Sequence, residues 1–347
     1  VPTTPAVLAA LADAAVQGLL PERVRGALER IGNRHHVGFI EDSRGRHWVV
    51  RLPVDAVSAA RQDASVALLE MLPRHLPFDV PEPAGFAALP DGRRAMVYPY
   101  LPGCLLDFTA LPAGPGLTRD IGRALAALHD LDPRVVEEAG LPVYEAEECR
   151  RRLQGEVERG AQTGLVPAGL LNRWQRLLEN QAWWEFTPSV VHGYIANRHL
   201  LATWEDARDA AEVRLSALLG WEGATVGDPA EDLASFSRAL TPEACETLFS
   251  AYLRARRASV DTYLIERAQF LGELRVLSRL LQARGSQDRD ELAQASQHLQ
   301  RLDDLVGDET RGDRPTCAAD GVPVQFDADP IDGQWYSSDG DPGTDRS

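Results

Sequence analysis

The chain predicts an α+β protein of two lobes, a small β-rich one followed by a larger helical one, and three observations carry that expectation. Its 347 residues exceed what one small core needs and suffice for two. Short apolar stretches of strand length, set off by turn residues, crowd the first hundred positions. Beyond Gly103 the apolar residues recur at helical spacing almost to the end.

In order, residues 5–20 have the spacing of a helix, with Pro5 and Pro21 as boundary marks. Residues 22–31 read equally as helix or strand. Residues 37–41 and 47–52 form a strand pair around the turn Asp42-Ser43-Arg44-Gly45. A helix over 58–72 stops at Pro73. A second strand pair, 81–89 and 94–99, is split by Pro90-Asp91-Gly92, and Tyr98 to Gly103 reads as a linker. These make a first lobe over 1–102. Helices over 121–129, 146–160, 167–181, 242–258, 261–283 and 288–305 make a second lobe over 103–306. Residues 307–347 carry ten acids against three arginines. Rich in Gly, Pro, Ser and Asp, they cannot bury enough surface to fold alone and are expected to form a disordered acidic tail. Gln334-Trp335-Tyr336 is its apolar island.

Composition excludes several functions. All 36 basic residues are arginine. A P-loop, a Schiff-base enzyme and a conventional protein kinase each need a lysine that this chain does not have. A net charge of −16 argues against nucleic acid, whose affinity rests on phosphate contacts. No apolar run approaches the roughly 20 residues of a membrane span, and no secretory pattern opens the sequence. Cys104, Cys149, Cys245 and Cys317 are scattered without a CxxC, as expected of a reduced, cytoplasmic protein rather than a disulfide framework or zinc site. GxGxxG, GxSxG, HExxH and EF-hand patterns are missing. His35-His36 lacks further ligands nearby and reads as a strand surface, and Trp174, Trp183, Trp184 and Phe186 read as helix-packing core.

Two segments carry chemistry. Val190-Val191-His192-Gly193-Tyr194-Ile195-Ala196-Asn197-Arg198-His199 and Leu218-Leu219-Gly220-Trp221-Glu222-Gly223-Ala224-Thr225-Val226-Gly227-Asp228-Pro229-Ala230-Glu231-Asp232 are each an apolar strand feeding a polar turn. Together they resemble the catalytic and metal-binding loops of the aminoglycoside/macrolide phosphotransferase family, with the macrolide 2′-phosphotransferases as the nearest branch. Supporting pieces lie in the same order, among them the strand from His47 to Pro53, the turn Leu76-Pro77-Phe78, the Tyr98-Pro99 hinge and Ala126-Ala127-Leu128-His129. The resemblance spans about residues 20–281 and implies a bilobal protein-kinase-like fold.

It also implies roles, and here the chain departs from the pattern. The family's catalytic base, an aspartate after His-Gly, is replaced by Tyr194; a phenol with a pKa near ~10 is a poor base at neutral pH. The principal magnesium ligand, an aspartate before the tryptophan, is replaced by Gly220, and magnesium demands oxygen ligands. The other metal position is His199. Glu222 is a conceivable substitute for the lost acid. Nucleotide contacts are implied at Arg51, Tyr98, Pro99 and Leu101, and arginine still pairs with phosphate bidentately. The glutamate that should hold that cation falls at Ser65, with Asp63 off register. His192 and Gly193 shape the loop, Asp228 caps the following helix, and Asp232 braces the turn.

The expectation is a phosphotransferase-family protein that has lost phosphoryl transfer and acts by binding a nucleotide, a small hydrophobic or cationic molecule, or a protein partner, with neither nucleic acid nor membrane involved. Two other readings stay open: an active small-molecule O-phosphotransferase using ATP or GTP with Mg2+, or a regulatory interaction protein that works through its acidic tail.

Overall fold

The computed structural model describes residues 4–25, 30–31, 34–204 and 213–309. The tail beyond Glu309, with Cys317 and Gln334-Trp335-Tyr336, lies outside the described residues. In the first lobe α1 (Pro5–Ala15) precedes β1 (Pro21–Arg25), β2 (Arg30–Ile31), β3 (His35–Asp42) and β4 (His47–Pro53). Then come α2 (Ala56–Met71), β5 (Gly85–Ala88) and β6 (Arg94–Pro99). The strands pair antiparallel in the order β1-β3-β4-β6-β5, with β2 also on β3. The two faces of this sheet have different tasks, and strand alternation assigns them. Ile40, Trp48, Val50, Leu52, Ala95 and Val97 face α1 and close a small core with Leu8 and Ala12. Val37, Phe39, Val49, Met96 and Tyr98 face the other way, toward α2 and the second lobe. Arg51 shares parity with Val49, and register sets it opposite Val37 and Met96.

The second lobe opens with β7 (Cys104–Leu105), α3 (Leu117–His129), α4 (Arg134–Glu138), α5 (Ala146–Ala161) and α6 (Ala168–Glu179). Next come β8 (Ser189–Val191), β9 (Leu200–Thr203), β10 (Arg214–Leu218) and β11 (Thr225–Gly227). The chain then runs through α7 (Ala230–Leu233), α8 (Phe236–Ala239), α9 (Pro242–Ala255), α10 (Leu264–Ser286) and α11 (Arg289–Glu309). The short strands form two ribbons, β10-β9-β7 and β11-β8, which hold the two polar loops against the helices. Trp174, Trp183, Trp184 and Phe186 are buried in the main core, as expected. No helix among the described residues is long and apolar enough to cross a membrane.

The α+β bilobal expectation holds, with local corrections. Helix α1 stops at Ala15, ahead of Gly18 in the left-handed region. The ambiguous stretch 22–31 contributes strand at both ends, its middle lying outside the described residues. Of 81–89, only Gly85–Ala88 pairs, because Pro81 and Pro83 cannot donate to a ladder. Tyr98 and Pro99 belong to β6 rather than to a linker. Helix α11 continues to Glu309, four residues past its expected end.

Candidate functional site

Between the lobes lies a cavity of about 800 Å³. The sheet contributes His35, Val37, Phe39, Arg51 and Tyr98. The two polar loops contribute His192, Tyr194, Arg198, His199, Gly220 and Glu222. Arg238, Arg275, Arg279 and His298 come from α8, α10 and α11. Pro99 and Leu101 are not among its lining residues, since alternation turns Pro99 away from Tyr98 and opposite Trp48. Burial drives the Tyr98 phenol up to about 12, against the opposing pull of Arg51.

The first loop is held from behind. The Asp232 carboxylate accepts the His192 N–H at 2.7 Å and the Gly193 N–H at 2.8 Å. The His129 ring sits 3.2 Å away on the same carboxylate, and Tyr252 hydroxyl contacts the ring's other nitrogen at 2.8 Å. Burial would raise the Asp232 pKa, but the His129 and His192 contacts outweigh it and hold the carboxyl below the ordinary aspartate range. Gly193 (φ +85°) lies so close to the second loop that a Cβ there would fall 2.3 Å from the Gly223 carbonyl oxygen. Asp228 takes two bonds from Arg267, at 2.8 and 3.0 Å, and accepts the Ala230 N–H at 2.9 Å. Asp261 holds the other side of the same guanidinium. The cap expected at Asp228 is therefore one part of a buried acid–arginine–acid bridge.

In front of this brace the cleft-facing groups are arranged otherwise. The Tyr194 ring takes the place after His-Gly, with the Arg275 guanidinium 4.5 Å and the Arg198 guanidinium 5.6 Å from its centroid. Gly220 sits in the left-handed region at φ +84°, and an added Cβ would come within 2.8 Å of the His199 ring. Imidazole thus fills the space that a side chain at position 220 would need. Nδ1 of that ring donates to the Tyr194 carbonyl at 2.9 Å, with the Ala196 nitrogen 3.3 Å away. Burial, followed by the nearby His192 and Arg198, holds His199 well below the usual imidazole range, so it is neutral.

Sequence reasoning misses two features of this site. The first is the partner of Arg51. Ser65 is buried and donates to the Gln62 carbonyl, while Asp63 turns outward to Arg94. The guanidinium of Arg51 instead meets Glu222 of the second loop at 2.6 Å, across the cleft. Burial works against ionisation of Glu222, but Arg51 and then His35 pull its pKa down to about 2. The second feature is His35, expected on a strand surface but only 3% exposed. Its Nδ1 lies 3.2 Å from the other Arg51 amino group and accepts from it. Burial and Arg51 push its pKa down to about 3, so the ring is neutral with its proton on Nε2, a buried position that has no partner. Parity with Val37 and Phe39 is the signal that would have found it.

These donors do not suit magnesium. Position 220 supplies no oxygen, His199 is a buried neutral imidazole, and Glu222 is committed to Arg51. Among the described residues no group of three or more His, Cys, Asp or Glu side chains is placed to hold a metal ion.

Comparison with known proteins places this geometry in a lineage. The model of a family described as the phosphotransferase enzyme family matches residues 30–271. Viomycin phosphotransferase of Streptomyces vinaceus is 27% identical over 286 residues, 79% of this chain and 93% of that protein. The apoenzyme structure of the macrolide 2′-phosphotransferase MphH from Brachybacterium faecium superposes with a TM-score of 0.70 at 23% identity, covering 85% of this chain and 98% of MphH. The GDP and kanamycin complex of the aminoglycoside phosphotransferase APH(2″)-IIIa gives 0.68 at 17% identity, covering 86% and 98%.

Proposed function

Because the chain belongs to the phosphotransferase enzyme family, we propose that it uses a phosphotransferase scaffold for binding and has lost phosphoryl transfer, its cleft taking up a nucleotide or a small molecule. The observation that carries this reading is the His199 ring, which lies within 2.8 Å of where a Cβ at position 220 would stand. In-line transfer needs a group to orient the acceptor hydroxyl and metal-held phosphates. At position 194 stands a phenol with two guanidinium groups near its ring. At position 220 there is neither a carboxylate nor space for one. Glu222, the nearest acid able to stand in, is ionised and bonded to Arg51. Binding does not need those groups: Val37, Phe39, Tyr98 and Leu105 offer an apolar wall, and seven arginines stand among the other lining residues.

The test is phosphate release from ATP and from GTP, with Mg2+, in the presence of macrolides, aminoglycosides and viomycin. The expected result is no turnover above background for any acceptor, alongside a rise in melting temperature with at least one ligand. Turnover abolished by Glu222→Ala would overturn the proposal, because it would make Glu222 a working substitute for the lost aspartate.

A further inference from the structure

The cleft is charged opposite to the molecule as a whole. The protein carries −16 overall, yet seven arginines and four carboxylates line this cavity among the described residues. Three of those arginines, Arg34 ahead of β3, Arg61 on α2 and Arg198 in the first loop, line the same cavity as Arg51, and Arg61 and Arg198 lie close enough to Arg34 to act on its charge. Unlike Arg51, none of the three has an ion pair among the described residues. Burial first, then Arg61, lowers the Arg34 pKa from its ordinary value, with Arg198 acting in the same direction and Glu222 and Asp55 opposing them. Two imidazoles at the same place have buried nitrogens without partners, Nε2 of His35 and Nδ1 of His192. His192 donates through Nε2 to the Leu219 carbonyl, which leaves its Nδ1 as an acceptor, whereas His35 Nε2 is a donor. Like-charged guanidinium groups held together beside a free N–H donor make a site for an anion of several charges.

We propose that this cleft binds a polyphosphate group directly through arginine, without a divalent metal: Arg34, Arg61 and Arg198 hold the phosphate oxygens, His35 Nε2–H donates to one of them, and Arg51 joins when the anion displaces Glu222. This deepens the binding reading above and rests on it. The arginines supply the positive charge that magnesium supplies in a phosphoryl-transfer site, and the donor set that does not suit magnesium suits phosphate. Glu222 thus holds the position on Arg51 that a bound anion would take. The shared chemistry is a chain of phosphates, whether free or carried by a nucleoside.

Calorimetric titration of the full chain in EDTA, with inorganic tripolyphosphate, ATP and adenosine as probes, tests the proposal. Tripolyphosphate and ATP are expected to bind in EDTA, with affinities changed less than about threefold by millimolar Mg2+. Arg34→Gln, Arg61→Gln and Arg198→Gln should each weaken binding about tenfold, equivalent to about 1.4 kcal/mol. Arg150→Gln, on an exposed turn of α5 and paired with Glu147, should leave it unchanged. Equal affinity for both probes would mark free polyphosphate as the ligand, and much tighter ATP binding would mark a nucleoside triphosphate; both outcomes support the site. Absence of binding in EDTA, a rise of tenfold or more with Mg2+, or unaltered affinity in the triple arginine variant with an unchanged melting temperature would overturn it. Phosphate release measured on the same samples keeps the two readings apart, since turnover with metal-independent binding would sink only the loss of transfer.

Discussion

The back and the front of the two loops are built on opposite terms. Behind them, Asp228 and Asp232 are fully buried, and each is saturated by partners from distant elements: Arg267 of α10 for one, His129 of α3 and two loop N–H groups for the other. In front, facing the cleft, the acid positions hold Tyr194 and Gly220, and Glu222 is bonded to an arginine of the opposite lobe. Behind the loops the acids are satisfied within the protein, whereas the two cleft-facing positions at which the family resemblance implies acids carry a phenol and no side chain. On the function proposed above, one set of carboxylates holds the fold and another would serve transfer, so the architecture does not depend on the second set.

The sharpest way to break this contrast is at the back. Asp228→Ala removes the main partner of Arg267, whose side chain is fully buried, and strands its charge against Asp261 alone. The expected loss is about 3–5 kcal/mol of unfolding free energy, measured by urea denaturation. A loss under ~1 kcal/mol would mean that the bridge is not what holds the second loop. A smaller effect is expected in front. Gly220→Asp places a side chain in the left-handed region and against the His199 ring, costing about 1–3 kcal/mol. The same variant should gain no Mg2+-dependent phosphate release, alone or with Tyr194→Asp, because Arg51 and Glu222 still fill the space between the loops and the sheet. Wild-type stability together with turnover in that double variant would show that the front had room for its acids all along.

The smallest effect is in pH dependence. The folded pKa of His35, about 3, lies below the ordinary imidazole value of 6.5, so this group's contribution to stability is whole above pH 6.5 and is lost as pH falls toward 3. His192 and His199 are also depressed by burial and act in the same direction. Glu222, moved from 4.5 to about 2, adds a further loss below pH 4.5. Melting temperature should therefore decline from pH 6.5 downward, and His35→Gln should flatten the upper part of that decline. An identical slope in the variant would mean that the ring is not held neutral by its surroundings.

Much of the fold was legible residue by residue. The hairpin around Asp42 to Gly45, the alternation that sends Arg51 to one face and Val50 to the other, and the two loop segments all follow from patterns a few residues long. Tyr194 and Gly220, at positions where the family resemblance implies acids, are legible in the same way, because each has fixed motif neighbours. Other features could not. Ser65 was legible as a missing partner for Arg51, but the partner that Arg51 does find, Glu222, lies in a loop brought to it only by closure of the two lobes. Paired with His36, His35 reads as a surface residue, whereas strand parity with Val37 and Phe39 turns it inward.

By itself the sequence determined the two lobes, the strand faces, and which motif positions carry acids, since these depend on local periodicity and on residue identity. Only the tertiary structure decided what stands in place of the lost groups: the His199 ring over Gly220, the bond from Glu222 to Arg51, and the arginines gathered in a cleft of an acidic protein. The reason is one of range. Periodicity acts over a turn of helix or a pair of strand residues, whereas these contacts join segments far apart in the chain, and their energies exist only once burial has removed the water between them.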